Sequence, residues 1–416
     1  MRIEDLGSER KDSRAHVAAT VIWEDCDRPT REIYFETDAV FAQDLSCNPH
    51  AFLVGCLLPA MRHGEERVAI DEAICPELRN GLVTAMDWIC HWYGPPRKPV
   101  QIEAKTGIRS PLPRAGERAG SFLSGGIDSL ATLRANRLDF PRDHPSSIKD
   151  CLIVHGFDIG AREGTDKEIE IFERAMASLA PVAEDAGITL IPVYTNVRYL
   201  YDDVLFWMHE FHGAALSSVA HAFSTRLSRV SIASCYAIAD QQPWGTHPVL
   251  DPNYSSAELQ IRHAGLRFSR LEKARLVADW DVALQNLRVC WWHPPDTLNC
   301  GKCDKCIWTM LELLVVGKLA YTRAFPVNDV STELLESIII RDRFKDAFYR
   351  ELIGPLTAQG RCDLASIIET KSAEFHRHLV WLQERDWKGV VKRFDRRYWA
   401  SGLFKTYKAI RERVMR

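Results

Sequence analysis

The sequence lacks the features of several common protein classes. It has almost no net charge, with 53 Lys and Arg against 56 Asp and Glu, so bulk electrostatics do not indicate a nucleic-acid partner. Its longest apolar run, Ala51–Met61, is too short to span a bilayer. The first residues do not have the pattern of a signal peptide. We therefore expect a cytoplasmic protein with no membrane partner.

The cysteine content excludes one further class. Twelve cysteines in a chain of 416 residues do not make a small disulfide scaffold. In a reducing compartment they would divide into buried thiols and metal ligands. The usual nucleotide signatures are also missing, because the sequence has neither Gly-x4-Gly-Lys-Ser/Thr nor Gly-x-Gly-x-x-Gly.

The most informative segment that is present is a glycine turn between an apolar run and a helical pattern. It consists of Ser124, Gly125, Gly126, Ile127, Asp128 and Ser129. Backbone N–H groups at a helix N-terminus are unpaired and attract anions, and Gly125 and Gly126 let the backbone approach an oxyanion closely. Ser124 and Ser129 can add hydroxyl donors, while Asp128 suits a magnesium ligand or an N-cap. The segment therefore predicts a phosphate site.

A second motif lies near residue 300, where four cysteines cluster: Cys290, Cys300, Cys303 and Cys306. Two overlapping Cys-x-x-Cys turns and one more cysteine supply four soft ligands, the number that tetrahedral zinc requires. A filled four-cysteine site has no open position, which predicts a structural role. An iron–sulfur cluster is the alternative, since thiolates at such short spacings also hold one.

The glycine turn resembles the SGGxDS loop of the N-type ATP pyrophosphatases, and the two motifs together resemble the 7-cyano-7-deazaguanine synthases. The resemblance covers roughly residues 118–310. It implies a parallel-sheet core of the adenine nucleotide α-hydrolase type, with ATP, Mg²⁺ and Zn²⁺ as cofactors. The implied activity is that of a ligase, which adenylates a carboxylate, releases pyrophosphate and prepares an amide- or nitrile-type C–N bond.

The resemblance also implies roles for single residues. Asp128 and Lys273 are implied to be catalytic. The implied nucleotide contacts are Ser124, Gly125, Gly126, Ile127, Asp128, Ser129, His155, Gly156, Phe157 and Ser234. The implied zinc ligands are Cys290, Cys300, Cys303 and Cys306. Residues 244–256 replace the substrate region of the family. We expect His247 and Asp251 in this segment to contact the substrate, whose identity the resemblance does not give.

The chain is long enough for two or three domains. Residues 118–235 alternate strand-like and helical stretches, which is typical of a parallel sheet covered by helices. We therefore predict an α/β fold in three parts. These are an N-terminal α+β module with a linker (1–117), the nucleotide domain with the four-cysteine segment (118–310), and a C-terminal helical region (311–416).

Three functions stay open on the sequence alone. The first is an adenylate-forming enzyme that acts on a small-molecule acid. The second is a subunit of a phage-defence or protein-modifying complex, whose target is a protein partner. The third is a tRNA-modifying enzyme, which the neutral charge and the missing Gly-His-x-x-Asp-Asp after the fourth strand disfavour. A homodimer or a hetero-complex would fit, and the basic segment Lys388–Arg416 is a nucleic-acid stripe, a docking helix or a solvated helix.

Overall fold

In the computed structural model, which describes residues 1–11, 13–106, 116–160, 166–292, 294 and 297–385, ten strands form one sheet. The strands are β1 (Arg2–Lys11), β2 (Arg14–Ile22), β3 (Arg31–Asp38), β4 (Arg67–Ile74), β5 (Gln101–Thr106), β6 (Ala119–Phe122), β7 (Ile148–His155), β8 (Thr189–Thr195), β9 (Arg229–Ala233) and β10 (Gln260–Ala264). Their order across the sheet is β10-β9-β6-β7-β8-β3-β2-β1-β4-β5.

Helices connect most of these strands. They are α1 (Pro49–His63), α2 (Pro76–Tyr93), α3 (Ile127–Asp139), α4 (Asp166–Ala186), α5 (Val204–Phe206), α6 (His212–Ala222), α7 (Arg270–Ala278), α8 (Asp281–Gln285), α9 (Asp304–Val315), α10 (Thr332–Glu336), α11 (Arg343–Glu351), α12 (Ile353–Ala358) and α13 (Cys362–Arg385). Between α5 and α6 the helix widens into a π turn over Trp207–Phe211. Short 3₁₀ turns occupy Ala39–Phe41, Val197–Tyr201, Ile238–Asp240, Asp251–Tyr254 and Leu319–Tyr321.

One half of the sheet is parallel and has the doubly wound order. Strands β10, β9, β6, β7 and β8 all run in the same direction. From β6 the chain proceeds to β7 and β8 on one side, and then to β9 and β10 on the other. Open sheets of this kind bind ligands at the carboxyl ends of the strands, where the order reverses. The predicted α/β class with a largely parallel sheet is confirmed.

The other half of the sheet comes from the first hundred residues. Strand β3 pairs antiparallel with β8 through Phe35 with Thr195 and Glu36 with Tyr194. Strands β2 and β1 continue the antiparallel pairing, and β4 and β5 run parallel to β1. Strand β5 lies within residues 95–118, the proline- and basic-rich segment that the sequence predicts as the linker, and residues 107–115 of this segment are outside the described part.

This pairing changes the division of the chain. The compact units are Met1–Asp329 and Val330–Arg416. The predicted boundary after residue 117 therefore separates strands of one sheet, and the predicted boundary after residue 310 falls inside α9. The boundary after residue 117 falls within one sheet because β3 pairs with β8, which joins residues far apart in the sequence that no local pattern connects.

The core lies between the sheet and its helices. One continuous apolar cluster joins the sheet to α1 and α6 and includes Leu152 and Val154 of β7. Because strand side chains alternate, Ile153 points to the opposite face, where α3 and α4 pack against β6, β7 and β8. The apolar run of the sequence forms α1, which is buried from Pro49 to Met61. Within the described residues, no helix is both long and apolar enough to cross a membrane.

The second unit is helical as far as it is described. Helix α13 packs against α10, α11 and α12, and His376 Nε2 on α13 lies 2.8 Å from the buried carboxylate oxygen Oδ2 of Asp346 on α11. The predicted C-terminal helical region is therefore helical from Thr332 to Arg385 apart from short connections. The basic segment Lys388–Arg416 lies outside the described residues.

Candidate functional site

The glycine loop, residues 123–129, joins the carboxyl end of β6 to the N-terminus of α3. Gly125 has φ of +82°, a left-handed conformation that favours glycine. A Cβ on Gly125 would lie 3.2 Å from Cβ of Arg288, so there is little space for a side chain at this position. Gly126 is the N-cap of α3, and no side chain caps the helix there. The first N–H groups of α3 are therefore not capped by a side chain at the switch point of the sheet.

The serines of the glycine loop hold its shape. Ser129 Oγ donates a hydrogen bond to the carbonyl of Gly126 at 3.0 Å and lies 3.3 Å from Ser124 Oγ. Ser124 Oγ also accepts a long hydrogen bond from the N–H of Gly126, at 3.4 Å. Ile127 is 1% exposed, so it can contribute to an anion site only through its backbone N–H. Among the predicted loop residues, the structure brings two hydroxyl groups and the helix N-terminus together.

Asp128 lies at the centre of a charged cluster. Its Oδ2 accepts a hydrogen bond from Arg270 Nη1 at 2.8 Å, and its Oδ1 accepts one from Lys273 Nζ at 3.3 Å. Burial by itself raises the pKa of Asp128, but the charges of Arg270 and Lys273 outweigh burial and hold the pKa below its ordinary value. Asp128 is therefore a carboxylate at neutral pH, and its side chain keeps a quarter of its surface exposed.

Lys273 is buried, with 1% of its surface exposed, and also donates a hydrogen bond of 2.6 Å to the carbonyl of Ser234 at the end of β9. The Ser234 hydroxyl stabilises the turn that follows β9, since it donates a hydrogen bond to the carbonyl of Tyr236 at 2.7 Å. The structure thus brings Lys273, Asp128 and the end of β9 together. Ser234 takes part through its backbone, and its hydroxyl is already engaged.

The predicted contacts at the end of β7 are mainly packing residues. The ring of His155 lies 5.4 Å from that of Phe172 and 5.5 Å from that of Tyr194, and burial lowers the pKa of His155. A Cβ on Gly156 would overlap the carbonyl oxygen of Thr195, which explains the glycine. Phe157 is buried and packs on Trp207 at 4.9 Å. These three residues shape the strand end that adjoins the glycine loop.

The two predicted substrate contacts occupy different environments. Asp251 is fully buried, and its Oδ2 lies 2.7 Å from His263 Nδ1 while its Oδ1 accepts a hydrogen bond from the N–H of His247 at 3.2 Å. Asp251 thus holds the segment in shape from inside. The ring of His247 is half-buried and packs edge-on against Trp92 at 4.9 Å, and burial lowers its pKa. Of the two, His247 is the one with an accessible surface.

The four cysteines converge on one point. Their sulfur atoms all lie within 4.8 Å of one another, with 3.5 Å between Cys303 and Cys306, 3.8 Å between Cys300 and Cys306, and 3.9 Å between Cys290 and Cys303. A tetrahedral ion with Zn–S bonds of about 2.3 Å has sulfur–sulfur edges of about 3.8 Å. The four cysteines could therefore hold a single metal ion such as zinc, as the spacing predicted.

The chemistry of the sulfur atoms also suits a metal. Hydrogen bonds from Cys303 and Cys306 lower the pKa of the Cys290 thiol well below its usual range. The same contact with Cys290 raises the pKa of Cys306. The cluster thus already favours a shared thiolate, the form that metals bind. Backbone N–H groups of Lys302 and Cys303 donate to Cys300 Sγ at 3.3 Å, which fixes the turn between the two ligands.

Sequence reasoning missed several residues of this region. Arg270 contacts Asp128 directly, yet the prediction singled out only Lys273. The spacing of three residues places Arg270 and Lys273 on one helix face, so the second cation could have been found. Glu312, which accepts a hydrogen bond from Arg270 Nε at 3.0 Å, gave no local signal. Its partner lies on another helix far away in the sequence.

Comparisons with protein-family models, with curated proteins and with solved structures found no match to this chain.

Proposed function

We propose that this chain is an ATP-dependent, adenylate-forming enzyme that activates a carboxylate for C–N bond formation. The observation that carries the proposal is the glycine loop. Its uncapped helix N-terminus, two serine hydroxyls and Asp128 lie at the switch point of a parallel sheet, with Lys273 and Arg270 beside them. Such a site suits the outer phosphates of a nucleotide.

The chemistry that this site would perform is the activation of a poor leaving group. A substrate carboxylate oxygen attacks the α-phosphate of ATP, the bond to the β-phosphate breaks, and pyrophosphate leaves. An amine nitrogen then attacks the acyl carbon and expels AMP, and the nitrogen loses a proton. No nucleophilic side chain is needed. Positioning of the reactants and stabilisation of the charge on pyrophosphate supply the acceleration.

Each residue of the site has a role in this proposal. The amides of Gly125 and Gly126 and the hydroxyl of Ser124 would bind the β- and γ-phosphates, and Ser129, whose hydroxyl donates to the carbonyl of Gly126, would hold the loop in shape. Lys273 would neutralise charge that develops on pyrophosphate. Asp128 offers carboxylate oxygens, the ligands that Mg²⁺ prefers, and would hold a magnesium ion whose charge neutralises phosphate oxygens. Zinc at the four cysteines would be structural, since the sulfur atoms fill its coordination.

A protein acceptor is the second candidate. Strands β1 to β5 extend the sheet beyond its parallel half, and Val330–Arg416 forms a second unit, which is helical in its described residues. Neither addition contributes a residue to the glycine loop or to the charged cluster at Asp128 among the contacts described above. These additions suit recognition of a protein partner, whose terminus would then be the group that is joined.

Nucleotide binding tests the proposal without knowledge of the acid. The zinc-loaded protein is titrated with α,β-methylene-ATP and Mg²⁺ in a calorimeter, and we expect one site per chain. Lys273→Met should weaken binding by about tenfold or more, since charged hydrogen bonds commonly contribute about 1.5–3 kcal/mol. Lys167→Met, which removes an exposed lysine of α4, should leave the affinity unchanged. An absence of binding, or equal affinities in the two variants, would refute the proposal.

Measurement of turnover then distinguishes a small-molecule product from a protein acceptor. AMP and pyrophosphate are measured after the addition of heteroaromatic carboxylic acids with an amine, or of a candidate protein partner. Release with the small acid and amine alone supports a small-molecule product. Release that requires the protein, together with a mass increase of that protein, supports a protein acceptor.

A further inference from the structure

Two chains of contacts connect the four-cysteine site to the glycine loop. The first begins at Asn299, which directly precedes Cys300 and is fully buried. Its side-chain Oδ1 accepts hydrogen bonds from the N–H groups of Val289 and Cys290, at 2.8 and 3.1 Å. Its Nδ2 donates to the carbonyls of Leu287 and Ala324, both at 2.8 Å. All four hydrogen bonds of this amide are therefore made inside the protein.

The segment that Asn299 holds reaches the glycine loop directly. Arg288 lies between Leu287 and Val289, and its backbone N–H donates to the carbonyl of Gly125 at 2.9 Å. The Cβ of Arg288 also lies next to Gly125, where a Cβ on the loop would come within a tight 3.2 Å of it. The position of the metal-binding turn therefore determines the position of the loop residue with left-handed backbone.

The second chain of contacts runs along α9. This helix begins directly after Cys303 and contains Cys306 in its first turn. One turn apart, its residues Trp308 and Glu312 hold the same guanidinium: Arg270 Cζ lies 4.5 Å from the ring centre of Trp308, and Arg270 Nε donates to Glu312 Oε1 at 3.0 Å. Glu312 is 1% exposed. Arg270 then donates to Asp128 Oδ2, in the first turn of α3.

Both paths end on the groups that the proposed function assigns to the nucleotide. From these contacts we infer that metal binding at the four cysteines and nucleotide binding at the glycine loop are energetically coupled, so that each increases the affinity for the other. The inference rests on the proposed function, because the loop must bind a nucleotide. Asn299 and Glu312 are the positioning residues, and they touch neither the metal nor the phosphates.

The coupling should be positive, because ordering the glycine loop costs free energy when the nucleotide binds. Without a metal, the turns at Cys300 and Cys303 lose their common anchor. The loop must then be ordered when the nucleotide binds, and that cost reduces the affinity. By linkage, the factor by which zinc raises nucleotide affinity equals the factor by which nucleotide raises zinc affinity.

The experiment measures this factor in both directions on the full chain. The affinity for α,β-methylene-ATP with Mg²⁺ is determined by calorimetry with zinc-loaded and zinc-depleted protein. Zinc affinity is determined by competition with a chromogenic chelator, with and without the nucleotide. We expect a factor of about five or more in both measurements, the lower end of ordinary coupling between sites.

Variants at Glu312 show whether α9 carries the effect. Glu312→Ala should retain zinc and reduce the factor, because Arg270 loses its hydrogen bond to α9. Glu312→Gln should restore part of the factor, since its amide oxygen can accept from Arg270 Nε. Glu170→Ala, an exposed change on α4, should keep the full factor. If Glu312→Ala did not fold, the two measurements on the wild-type protein would still decide the matter.

The outcomes separate the two proposals. If neither protein form binds the nucleotide, the proposed function is wrong. If both bind it with equal affinity, the coupling is wrong while the proposed function stands. If zinc depletion unfolds the whole chain, as circular dichroism would report, an undiminished factor in Glu312→Ala would show linkage through global folding and would overturn the inference.

Discussion

Lys273 Nζ lies 3.3 Å from Asp128 Oδ1 and 2.6 Å from the carbonyl oxygen of Ser234. A single buried ammonium group therefore joins the first turn of α3, the end of β9 and α7. Because Arg270 contacts the same carboxylate, the geometry of the site depends on the negative charge of Asp128.

Replacement of Asp128 by asparagine tests this dependence. Asp128→Asn keeps the shape of the side chain but removes the negative charge that balances the positive charges of Lys273 and Arg270. We expect the free energy of unfolding at pH 7 to fall by about 1–3 kcal/mol in urea denaturation, and the formation of AMP from ATP to be lost. Asp139→Asn breaks an exposed ion pair with Arg267 and should cost about 1 kcal/mol or less. Unchanged turnover in Asp128→Asn would contradict the assigned role.

The low pKa of Asp128 also predicts how the difference in stability between wild type and Asp128→Asn depends on pH. The pKa of Asp128 in the folded state lies below its ordinary value of 3.8, so the folded state stabilises the carboxylate. This contribution is fully present above pH 3.8 and is lost as the pH falls through the folded-state pKa. The difference in unfolding free energy between wild type and Asp128→Asn should therefore be constant at neutral pH and shrink below pH 3.8. A difference that grew on acidification would refute this assignment.

Two glycines with the same backbone angle provide a matched comparison. Gly125 and Gly64 both have φ of +82°, but nothing lies within 4 Å of a Cβ on Gly64. Alanine at either position should cost about 1–2 kcal/mol of stability through backbone strain. Only Gly125→Ala should also weaken nucleotide binding, by about tenfold or more, because the loop carbonyl bonded to Arg288 must move. Equal nucleotide affinities in the two variants would show that the loop is not the binding site.

Loss of the metal should lower thermal stability. A ligand at about 1,000 times its Kd stabilises the folded state by about 4 kcal/mol, and each kcal/mol shifts the Tm of a domain by roughly 2–4 °C. We expect Cys303→Ser to lose zinc, measured by elemental analysis, and to melt about 10 °C lower. Cys362→Ser changes an exposed cysteine outside the cluster and should keep both values. A Cys303→Ser protein with full zinc content would contradict the metal site.

Replacement of Asp251 should lower the stability of the protein and have little effect on its affinity for the nucleotide. Asp251→Ala leaves the buried His263 ring and the N–H of His247 without their acceptor. The cost should be about 2–4 kcal/mol in chemical denaturation, with unchanged affinity for α,β-methylene-ATP. A variant with normal stability that no longer turned over the acid would instead make Asp251 a direct substrate contact.

The sequence predicts best what is encoded locally. The glycine loop and the four-cysteine spacing each depend on neighbouring residues, and the structure forms the turn between β6 and α3 and brings the four sulfur atoms together. The contact of Glu312 with Arg270 and the pairing of β3 with β8 join distant residues, so no periodicity signals them. Asp251 shows the same limit, since a polar residue in a loop gives no sign that it will be fully buried.

The pairing of β3 with β8 has a consequence for self-association. Without β3, the strand β8 would be the outermost strand of the parallel half, with unpaired backbone groups open to a second chain. Phe35 and Glu36 of β3 pair with β8. Directly after β8, the side chain of Asn196 accepts a hydrogen bond from the N–H of Tyr34 and donates one to the carbonyl of Glu32, which continues the contact between the two strands. Copies of this protein therefore cannot join their parallel halves edge to edge along β8.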